Sequence, residues 1–475
     1  MKPEFKILFA ASEAAPFAKS GGLGDVAGSL PRALGALGAD VRIVLPKYKN
    51  ISGGLLENAK YLGSFPVKLG WRRQEAEIYE VFDEVRYYFI GNDYYFGRDE
   101  YYGYDDDGER FAFFCKAVLD MIPFIDFYPD IIHANDWQTG ALPLILKTSY
   151  SGFLHLAEIK TLYTIHNLQY QGSFPLSVKE FFDIEDTTGS EFYGSFNFMK
   201  CGIYYSDAVS TVSPTYAKEI QTAEYGYGLE GLLSLRGSSL KGILNGISFE
   251  ENDPETDPAI YAAGLENGSK AFKKANKEAL LKQLGLPVSD APLFAIVSRL
   301  ANQKGMDILP CAIDTLVKRG ARLVVLGTGE KRYEEMFEGY RNFFKESVSA
   351  NIMFDDGLAR RIYAGSDIFL MPSRFEPCGL GQMLALRYGT IPIGRKTGGL
   401  SDTIVPFSPE SKNGNGFLFE DYSPFALRDI IDYAMDIYEN DRKSWASLVD
   451  NALESDCSWK SSAKSYLLLY KDLIK

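Results

Sequence analysis

The chain has 475 residues, of which 50 are Lys or Arg and 63 are Asp or Glu, so its formal net charge is −13. Nucleic acid is excluded as a partner, because an acidic chain lacks the broad positive field that binds a phosphate backbone. Apolar residues make up 46% of the sequence, which excludes a largely disordered protein.

Cysteine and histidine usage argues against a metal centre. The five cysteines are odd in number and widely separated, and there are only three histidines, so we expect neither a disulfide framework nor a metal site. The acidic run at residues 105–107 is interpreted as a solvated turn. No uncharged apolar stretch reaches the length of about 18 residues that a membrane span needs, and we expect a cytoplasmic protein.

The first fifty residues predict a strand, a helix and a second strand. An apolar run at residues 6–11 is followed by a glycine-containing loop and by apolar residues at helical spacing from Val26 to Leu37. Pro31 lies inside this helix, where we expect it to cause a kink or to begin a second segment. Residues 41–46 form the next strand and complete a βαβ unit, which is typical of a parallel sheet.

The same alternation continues along the chain. Further strands are predicted at residues 130–133, 161–166, 208–212, 293–297, 323–327, 368–371 and 390–394. Residues 252–267 are rich in turns and acids, as in a connection between domains. We therefore predict an α/β protein with two Rossmann-like, doubly wound domains, at residues 1–250 and 251–455. In such sheets ligands bind at the carboxyl ends of strands, so two facing domains would bind a ligand in the cleft between them.

Residues 19–26, Lys-Ser-Gly-Gly-Leu-Gly-Asp-Val, lie between the first strand and the first helix. Backbone N–H groups at a helix N-terminus and a lysine side chain can bind an anion there, although a plain strand-to-helix turn has a similar composition. The segment matches neither the dinucleotide-binding pattern nor a P-loop. A second Gly-Gly-Leu helix start, at residues 398–400, echoes it in the C-terminal half.

A stronger anion site is predicted after the strand at residues 293–297. Arg299 and Lys304 follow that strand, and together they suit a diphosphate, although a solvated surface pair is the alternative. Residues 372–382 read Pro-Ser-Arg-Phe-Glu-Pro-Cys-Gly-Leu-Gly-Gln and follow another strand. There Glu376 can accept hydrogen bonds from hydroxyl groups, and the following helix start offers backbone N–H donors.

Two polar runs, at residues 133–137 and 166–172, follow predicted strands of the N-terminal half. Histidine, asparagine, aspartate and glutamine beside tryptophan or tyrosine are typical of a sugar site, where the ring face covers the apolar side of a pyranose. For His133 a structural role is the favoured interpretation, and for His166 a binding role.

Taken together, these segments resemble the family of bacterial glycogen synthases and plant starch synthases, which are retaining glucosyltransferases that use ADP-glucose. The resemblance covers almost the whole chain and depends on an ordered set of motifs. They lie at residues 19–26, 133–137, 166–172, 212–217, 227–231, 299–305, 374–380 and 397–400.

The resemblance implies a glycosyltransferase B fold, in which two Rossmann-like domains face a central cleft. The N-terminal domain would be the acceptor side, the C-terminal domain would bind the nucleotide sugar, and residues 456–475 would form a helix that packs back on the N-terminal domain. The implied substrates are ADP-glucose and a glycogen or malto-oligosaccharide acceptor. Neither a metal nor another cofactor is implied, and neither nucleic acid nor a membrane is an expected partner.

The resemblance also assigns residues. The implied catalytic residues are Lys19, His166, Arg299, Lys304 and Glu376. The implied substrate-binding residues are Gly21, Gly22, Asp25, Asp136, Asn167, Asn245, Phe354, Cys378, Gly379, Leu380, Thr397 and Gly398. Arg299 and Lys304 would bind the diphosphate, Asn245 would approach the glucose, and Phe354 would lie over the adenine.

The sequence departs from the patterns of related transferases at four places. Leu384 stands where many retaining transferases have a second glutamate, which synthases of this family commonly lack. Ser248 replaces the usual aspartate, and local loops differ at residues 96–98 and 414–417. The alternatives are a transferase that uses UDP-glucose or another acceptor, and a non-catalytic glucan-binding paralogue. The presence of all five implied catalytic residues favours an enzyme.

Overall fold

The computed structural model describes residues 5–475, which divide into two compact units. Unit 1 runs to Asn245 and includes Trp459–Lys475 from the end of the chain, and unit 2 is Gly246–Ser458. Within residues 5–475, no helix has the length and apolar character to cross a membrane.

The elements of unit 1 alternate between strands and helices. The strands are β1 (Lys6–Ala10), β2 (Asp40–Pro46), β3 (Lys60–Leu69), β4 (Arg72–Asp83), β5 (Val85–Gly91), β6 (Ile131–Asn135), β7 (Lys160–Ile165), β8 (Ser173–Pro175), β9 (Glu191–Phe192), β10 (Ser195–Asn197), β11 (Ala208–Thr211) and β12 (Leu240–Gly242). The helices are α1 (Gly22–Ala36), α2 (Gly53–Leu56), α3 (Asp93–Phe96), α4 (Asp107–Phe124), α5 (Ala141–Lys147), α6 (Phe198–Tyr205), α7 (Pro214–Glu219) and α8 (Glu230–Arg236).

Unit 2 has the same alternation. Its strands are β13 (Leu293–Val297), β14 (Arg322–Leu326), β15 (Val348–Asn351), β16 (Ile368–Met371), β17 (Ile391–Arg395) and β18 (Phe417–Phe419). Its helices are α9 (Ser269–Gln283), α10 (Leu309–Lys318), α11 (Lys331–Phe343), α12 (Asp356–Gly365), α13 (Gly381–Arg387), α14 (Gly398–Thr403), α15 (Pro424–Asn440) and α16 (Arg442–Glu454). The last helix, α17 (Trp459–Ile474), belongs to unit 1 and packs against α1.

The main sheet of unit 1 has the strand order β12-β11-β7-β6-β1-β2-β5-β4-β3. Neighbouring strands from β12 to β5 pair in parallel, and β4 and β3 extend the sheet in antiparallel fashion. A small antiparallel sheet, β8-β10-β9, lies outside it. The antiparallel extension and the small sheet were not predicted.

Helix α1 is continuous from Gly22 to Ala36, so no second segment begins at Pro31. A proline removes only one backbone hydrogen bond, to the carbonyl group four residues earlier. The apolar side of α1 is held by packing, since Leu23, Val26, Leu30 and Leu34 are all buried. This packing keeps the helix intact despite the lost bond.

Unit 2 contains a six-stranded parallel sheet in the order β15-β14-β13-β16-β17-β18. Along β13 the residues Leu293 and Ala295 belong to one apolar cluster, and Phe294 and Ile296 to another. Successive side chains of a strand point to opposite faces, so both faces of this sheet are covered. The predicted α/β class, with doubly wound parallel sheets, is confirmed.

The sheet orders explain which motifs meet. In unit 1 the strands β7, β6 and β1 are neighbours, and in unit 2 so are β13, β16 and β17. The carboxyl ends of parallel neighbours lie at one edge of the sheet, where ligands bind in such folds. The polar segments that follow these strands therefore meet within each unit.

Candidate active site

The loop between β1 and α1 carries an ion pair beside open backbone. Nζ of Lys19 lies 2.7 Å from Oδ1 of Asp25, and both side chains are partly exposed. Gly21 and Gly22 are exposed, and no atom lies within 4 Å of the position that a Cβ would take at either residue. The 15-residue helix α1 thus begins at a point with room for an anion.

Glu13 holds this loop through hydrogen bonds that no sequence pattern indicates. Its buried carboxylate accepts hydrogen bonds of 2.7 Å from the hydroxyl groups of Ser20 and Tyr102, and another from the backbone N–H of Ser20. A single glutamate among alanines matches no site pattern, and Tyr102 lies 89 residues away along the chain. Glu13 therefore holds the backbone next to Lys19.

The segments after β6 and β7 meet through Asp136. Its Oδ1 atom accepts a hydrogen bond of 2.7 Å from the backbone N–H of His166, and the backbone N–H of Asn167 lies 3.4 Å from the same atom. Desolvation raises the pKa of Asp136 to about 7. The φ angle of Asp136 is 55°, a strained value for a residue other than glycine, and such strain is common at functional sites.

The hydrogen bonds of His166 define its tautomer. The amide nitrogen of Asn135 donates to the carbonyl groups of Ala10 and His133, so Oδ1 of Asn135 is an acceptor. Nε2 of His166 lies 2.9 Å from that oxygen and therefore carries the hydrogen. Burial lowers the pKa of His166 to about 3. The ring is neutral near pH 7, and its Nδ1 lone pair can accept a hydrogen bond.

His133 and Trp137 have structural roles. The ring nitrogens of His133 lie 2.8 Å from the hydroxyl group of Tyr470 in α17 and 2.6 Å from that of Thr164. Burial lowers the pKa of His133 well below its usual value. Trp137 is buried and packs against the rings of Phe111 and Phe174. The expectation that its ring face covers a bound sugar is therefore wrong.

Two asparagines of unit 1 present polar atoms at the same edge of the sheet. Asn167 accepts a hydrogen bond from the backbone N–H of Gln169 and is partly exposed. Asn245, just after β12, is buried, and its Oδ1 atom has no hydrogen-bond partner among residues 5–475. A buried acceptor without a partner is costly, so a ligand hydroxyl group that bonds to Asn245 would remove that cost.

In unit 2 an ion pair joins the segments after β13 and β16. Nζ of Lys304 lies 2.6 Å from Oε2 of Glu376, and the hydroxyl group of Ser373 donates to the same oxygen over 2.9 Å. Glu376 is buried, whereas Lys304 is partly exposed. The second oxygen, Oε1, makes no hydrogen bond to any described residue and can accept one from a ligand. Sequence reasoning missed Ser373.

The segment after β17 packs directly under this pair. A Cβ at Gly398 would lie 1.9 Å from the carbonyl oxygen of Glu376, and one at Gly399 would lie 2.1 Å from that of Cys378. The N–H of Gly399 donates to the carbonyl group of Glu376 over 3.0 Å. This close approach requires glycine at both positions, and it explains why a Gly-Gly pair starts α14.

Backbone donors and a second cation follow the same two strands as the pair. The N–H groups of Gly379 and Leu380 donate to no described residue, and both residues are partly exposed. Arg299 is exposed, and its guanidinium group donates a hydrogen bond of 3.3 Å to the side-chain oxygen of Gln303. Lys304, Arg299 and these two N–H groups all follow the carboxyl ends of neighbouring parallel strands, where positive charge and backbone donors suit a diphosphate.

The remaining implied residues fall into two groups. Cys378 and Thr397 are buried beside the segments just described, where Cys378 accepts a hydrogen bond at its carbonyl oxygen from Gln382. Phe354, between β15 and α12, is 84% exposed. Its bare ring is free to stack on a planar ligand.

No group of three or more His, Cys, Asp or Glu residues within positions 5–475 is arranged to hold a metal ion. The acidic run at residues 105–107 is engaged otherwise. Asp106 pairs with Arg98, and Asp107 is buried and pairs with Arg110 at the start of α4, so this part of the run is not the solvated turn that we expected.

Comparison with known protein families gives matches over most of the chain. The model of the starch synthase catalytic domain matches residues 6–235, and that of glycosyl transferases group 1 matches residues 276–450. A glycogen synthase of Clostridium perfringens is 50% identical over 477 residues, covering 99% of this chain and 98% of the relative. A glycogen synthase of Geobacillus stearothermophilus is 46% identical over 479 residues, covering 99% of this chain and 98% of the relative.

Solved structures agree with these matches. The catalytic domain of starch synthase IV from Arabidopsis thaliana, bound to ADP and acarbose, is 34% identical, with a TM-score of 0.92 and 99% of both chains covered. Sucrose-phosphate synthase from Thermosynechococcus elongatus, 17% identical over 99% of both chains, has a TM-score of 0.63 and shares the fold. The predicted glycosyltransferase B fold is confirmed.

Proposed function

Because this chain belongs to the family of bacterial glycogen synthases and plant starch synthases, we propose that it transfers glucose from ADP-glucose to the non-reducing 4-hydroxyl end of an α-1,4-glucan, with retention of the anomeric configuration. The predicted family and the predicted enzyme class, a glucosyltransferase, are confirmed by the matches along the whole chain.

The observation that carries the proposal is the Lys304–Glu376 pair, with unpartnered backbone N–H groups beside it. The lysine and Arg299 supply positive charge for a diphosphate, Lys as a point charge and Arg through its planar fork. The N–H groups of Gly379 and Leu380 add neutral donors. Oε1 of Glu376 is available for a hydroxyl group of the transferred glucose.

Residues of unit 1 are assigned to the same donor molecule. Lys19 and the open N-terminus of α1 suit the phosphates. Neutral His166 is not an acid near pH 7, but its Nδ1 atom can accept a hydrogen bond from a glucose hydroxyl group, as can Oδ1 of Asn245. Phe354 is assigned to the adenine, whose planar face matches an exposed ring.

The reaction that we propose is a front-face displacement. The bond between the anomeric carbon and the diphosphate oxygen breaks, a bond from that carbon to the acceptor's 4-hydroxyl oxygen forms on the same face, and the hydroxyl proton passes to the departing phosphate. Arg299, Lys304 and Lys19 stabilise the negative charge that develops on ADP, and fixed electrostatic stabilisation of this kind is commonly the largest contribution to catalysis. The proposal includes no metal ion or other cofactor.

Incubation with radiolabelled ADP-glucose and glycogen tests the proposal. We expect label in the polymer, and we expect an α-1,4-glucanase to release it. A parallel incubation with radiolabelled UDP-glucose tests the donor, and we expect much slower incorporation. Failure of ADP-glucose to label the polymer would refute the proposed function, and faster labelling from UDP-glucose would refute the donor assignment.

A further inference from the structure

Unit 2 carries an apolar hollow between α10 and α11 that the proposed reaction does not use. Its volume is about 370 Å³, within the range of small-molecule sites. It is lined by Asp314, Met336, Gly339, Tyr340, Phe343 and Phe344. Helix α11 begins just after the carboxyl end of β14, the edge of the sheet where Lys304 and Glu376 lie. Its 13 residues span about 20 Å, and Phe343 is the last of them. Phe343 therefore lies far from Lys304 and Glu376.

Aromatic rings form the walls of the hollow. The rings of Tyr340 and Phe344 stack with their centroids 6.1 Å apart and an interplanar angle of 16°. Phe343 meets Phe344 edge to face at 4.8 Å and is 81% exposed. A contiguous exposed apolar patch is typical of a binding surface, and here the exposed ring of Phe343 adjoins the partly exposed rings of Tyr340 and Phe344.

Gly339 lines the hollow and, having no side chain, leaves space in it. It lies inside α11, where glycine is the least favourable residue apart from proline. No atom lies within 4 Å of the position that a Cβ would take, so neither packing nor a close approach requires glycine there. A side chain at this position would instead extend into open space beside Tyr340, which is where a ligand would lie.

The hollow also contains polar groups that are ready for a ligand. The carboxylate of Asp314 is exposed, and neither it nor the hydroxyl group of Tyr340 makes a hydrogen bond to any described residue. Sugar hydroxyl groups can donate to both, while the apolar face of a pyranose covers an aromatic ring. An apolar side chain from a partner protein would instead remove water from Asp314 without replacing its hydrogen bonds, which is unfavourable.

We propose that this hollow is a second glucan-binding site, which holds a chain of the polymer away from its reacting end. The inference rests on the proposed function, since it takes the polymeric substrate as the ligand. Binding at a second position keeps the enzyme on one polymer particle, and two linked contacts bind more tightly than either alone.

The test compares binding to glycogen with turnover of a short acceptor in the full-length protein. Phe343→Ala removes one wall, and Gly339→Leu fills the floor while favouring the helix. Phe425→Ala is the control, since Phe425 is 60% exposed in the same unit but does not line the hollow. Native electrophoresis in gels with increasing glycogen measures the dissociation constant. Turnover is measured with ADP-glucose and maltotriose, which needs only the reacting site.

We expect Phe343→Ala and Gly339→Leu to raise the dissociation constant for glycogen about five-fold, the effect of losing one aromatic contact. Phe425→Ala should leave it unchanged, and all three variants should turn over maltotriose at the wild-type rate. Unchanged glycogen binding in both hollow variants overturns the inference. So does a change of molecular mass in light scattering without a change in glycogen binding, because the hollow would then join two copies of the chain. Failure of the wild-type protein to elongate maltotriose would count against the proposed function itself.

Discussion

Lys304 pairs with Glu376, the residue that we assign to the transferred glucose. It contacts Glu376 and remains partly exposed, so a diphosphate can approach it. In the proposed reaction the negative charge on ADP grows as the glycosidic bond breaks. Lys304 should therefore stabilise the transition state more than the bound donor.

Replacing Lys304 by alanine tests this role. We expect kcat with ADP-glucose and glycogen to fall about 100-fold, as when one group that stabilises developing charge is removed, with a much smaller change in KM for the donor. Lys274→Ala is the matched control, because Lys274 is an exposed lysine of unit 2 in α9. A variant Lys304→Ala with wild-type kcat would contradict the proposed mechanism.

Asp136 and His166 make opposite contributions to stability as the pH falls. The pKa of His166 is lowered to about 3, so below about pH 6.5 the unfolded chain binds a proton that the folded chain does not, and stability falls. The pKa of Asp136 is raised to about 7, so between about pH 4 and 7 the folded chain holds a proton that the unfolded chain releases, and stability rises on acidification. The two effects offset each other.

Asp136→Asn removes one of these opposing contributions and preserves the acceptor for the N–H of His166. Between pH 7 and pH 5 we expect the free energy of unfolding of the variant to fall by about 2 kcal/mol more than that of the wild-type protein. Urea unfolding at the two pH values measures the difference. Equal pH dependence in both proteins would show that the carboxyl of Asp136 does not titrate as the structure indicates.

The charged residues of the candidate site could be proposed from the sequence, whereas the groups that contact them could not. Arg299, Lys304 and Glu376 are recognisable because each follows an apolar strand. Glu13 and Asn135 act through partners that are distant in the chain, and no local pattern marks such contacts. The neutral state of His166 could not be predicted either, because burial sets it.

At the scale of elements, the loop between β1 and α1 depends on Glu13. The carboxylate joins Ser20 to Tyr102, which belongs to a different segment of the chain. Without it the hydroxyl group of Tyr102 and the backbone N–H of Ser20 would lose a partner, and the position of Lys19 would be less well defined.

Glu13→Ala should lower the free energy of unfolding by about 1 kcal/mol, since it removes three hydrogen bonds to partly exposed donors. It should also lower kcat/KM for ADP-glucose by about ten-fold. Tyr102→Phe removes one hydrogen bond to Glu13 and one to Ser12 but leaves both bonds between Glu13 and Ser20, so it should have a smaller effect on kcat/KM. Denaturant unfolding and steady-state kinetics provide the two measurements. Wild-type kcat/KM in a folded Glu13→Ala protein would show that the carboxylate does not position the loop.

The strands that build the two parallel sheets were predictable, whereas the elements outside them were not. The runs that became β13 and β16 are continuously apolar because both faces of the sheet are covered. The strands β3 and β4 mix exposed and buried positions and contain many charged residues, so their sequence resembles that of a surface loop. Tertiary pairing with β5 determines their conformation.

At the scale of the whole molecule, the net charge of −13 describes the surface and not the site. The cations assigned to the donor, Lys19, Arg299 and Lys304, all lie in loops at the carboxyl edges of parallel sheets. Such local positive charge suits a small anion, whereas a nucleic acid needs a positive field over a much larger surface.

The division of the chain into units also shows a limit of sequence reasoning. The last helix, α17, lies in unit 1 although it follows unit 2 in the sequence, and Tyr470 contacts buried His133. Composition gives no sign of this return, which only the family resemblance implied. The alternation of strands and helices, by contrast, is visible in the hydrophobic pattern of both halves.

The central claim is glucosyl transfer with retention, and proton NMR of the product tests it most directly. The protein is incubated with ADP-glucose and maltotriose, and the anomeric proton of each new linkage is followed before the product can be degraded. We expect every new signal to be that of an α-1,4 linkage, with ADP accumulating in equal amount. A β-linked product, or ADP-glucose that remains unconsumed, would contradict it.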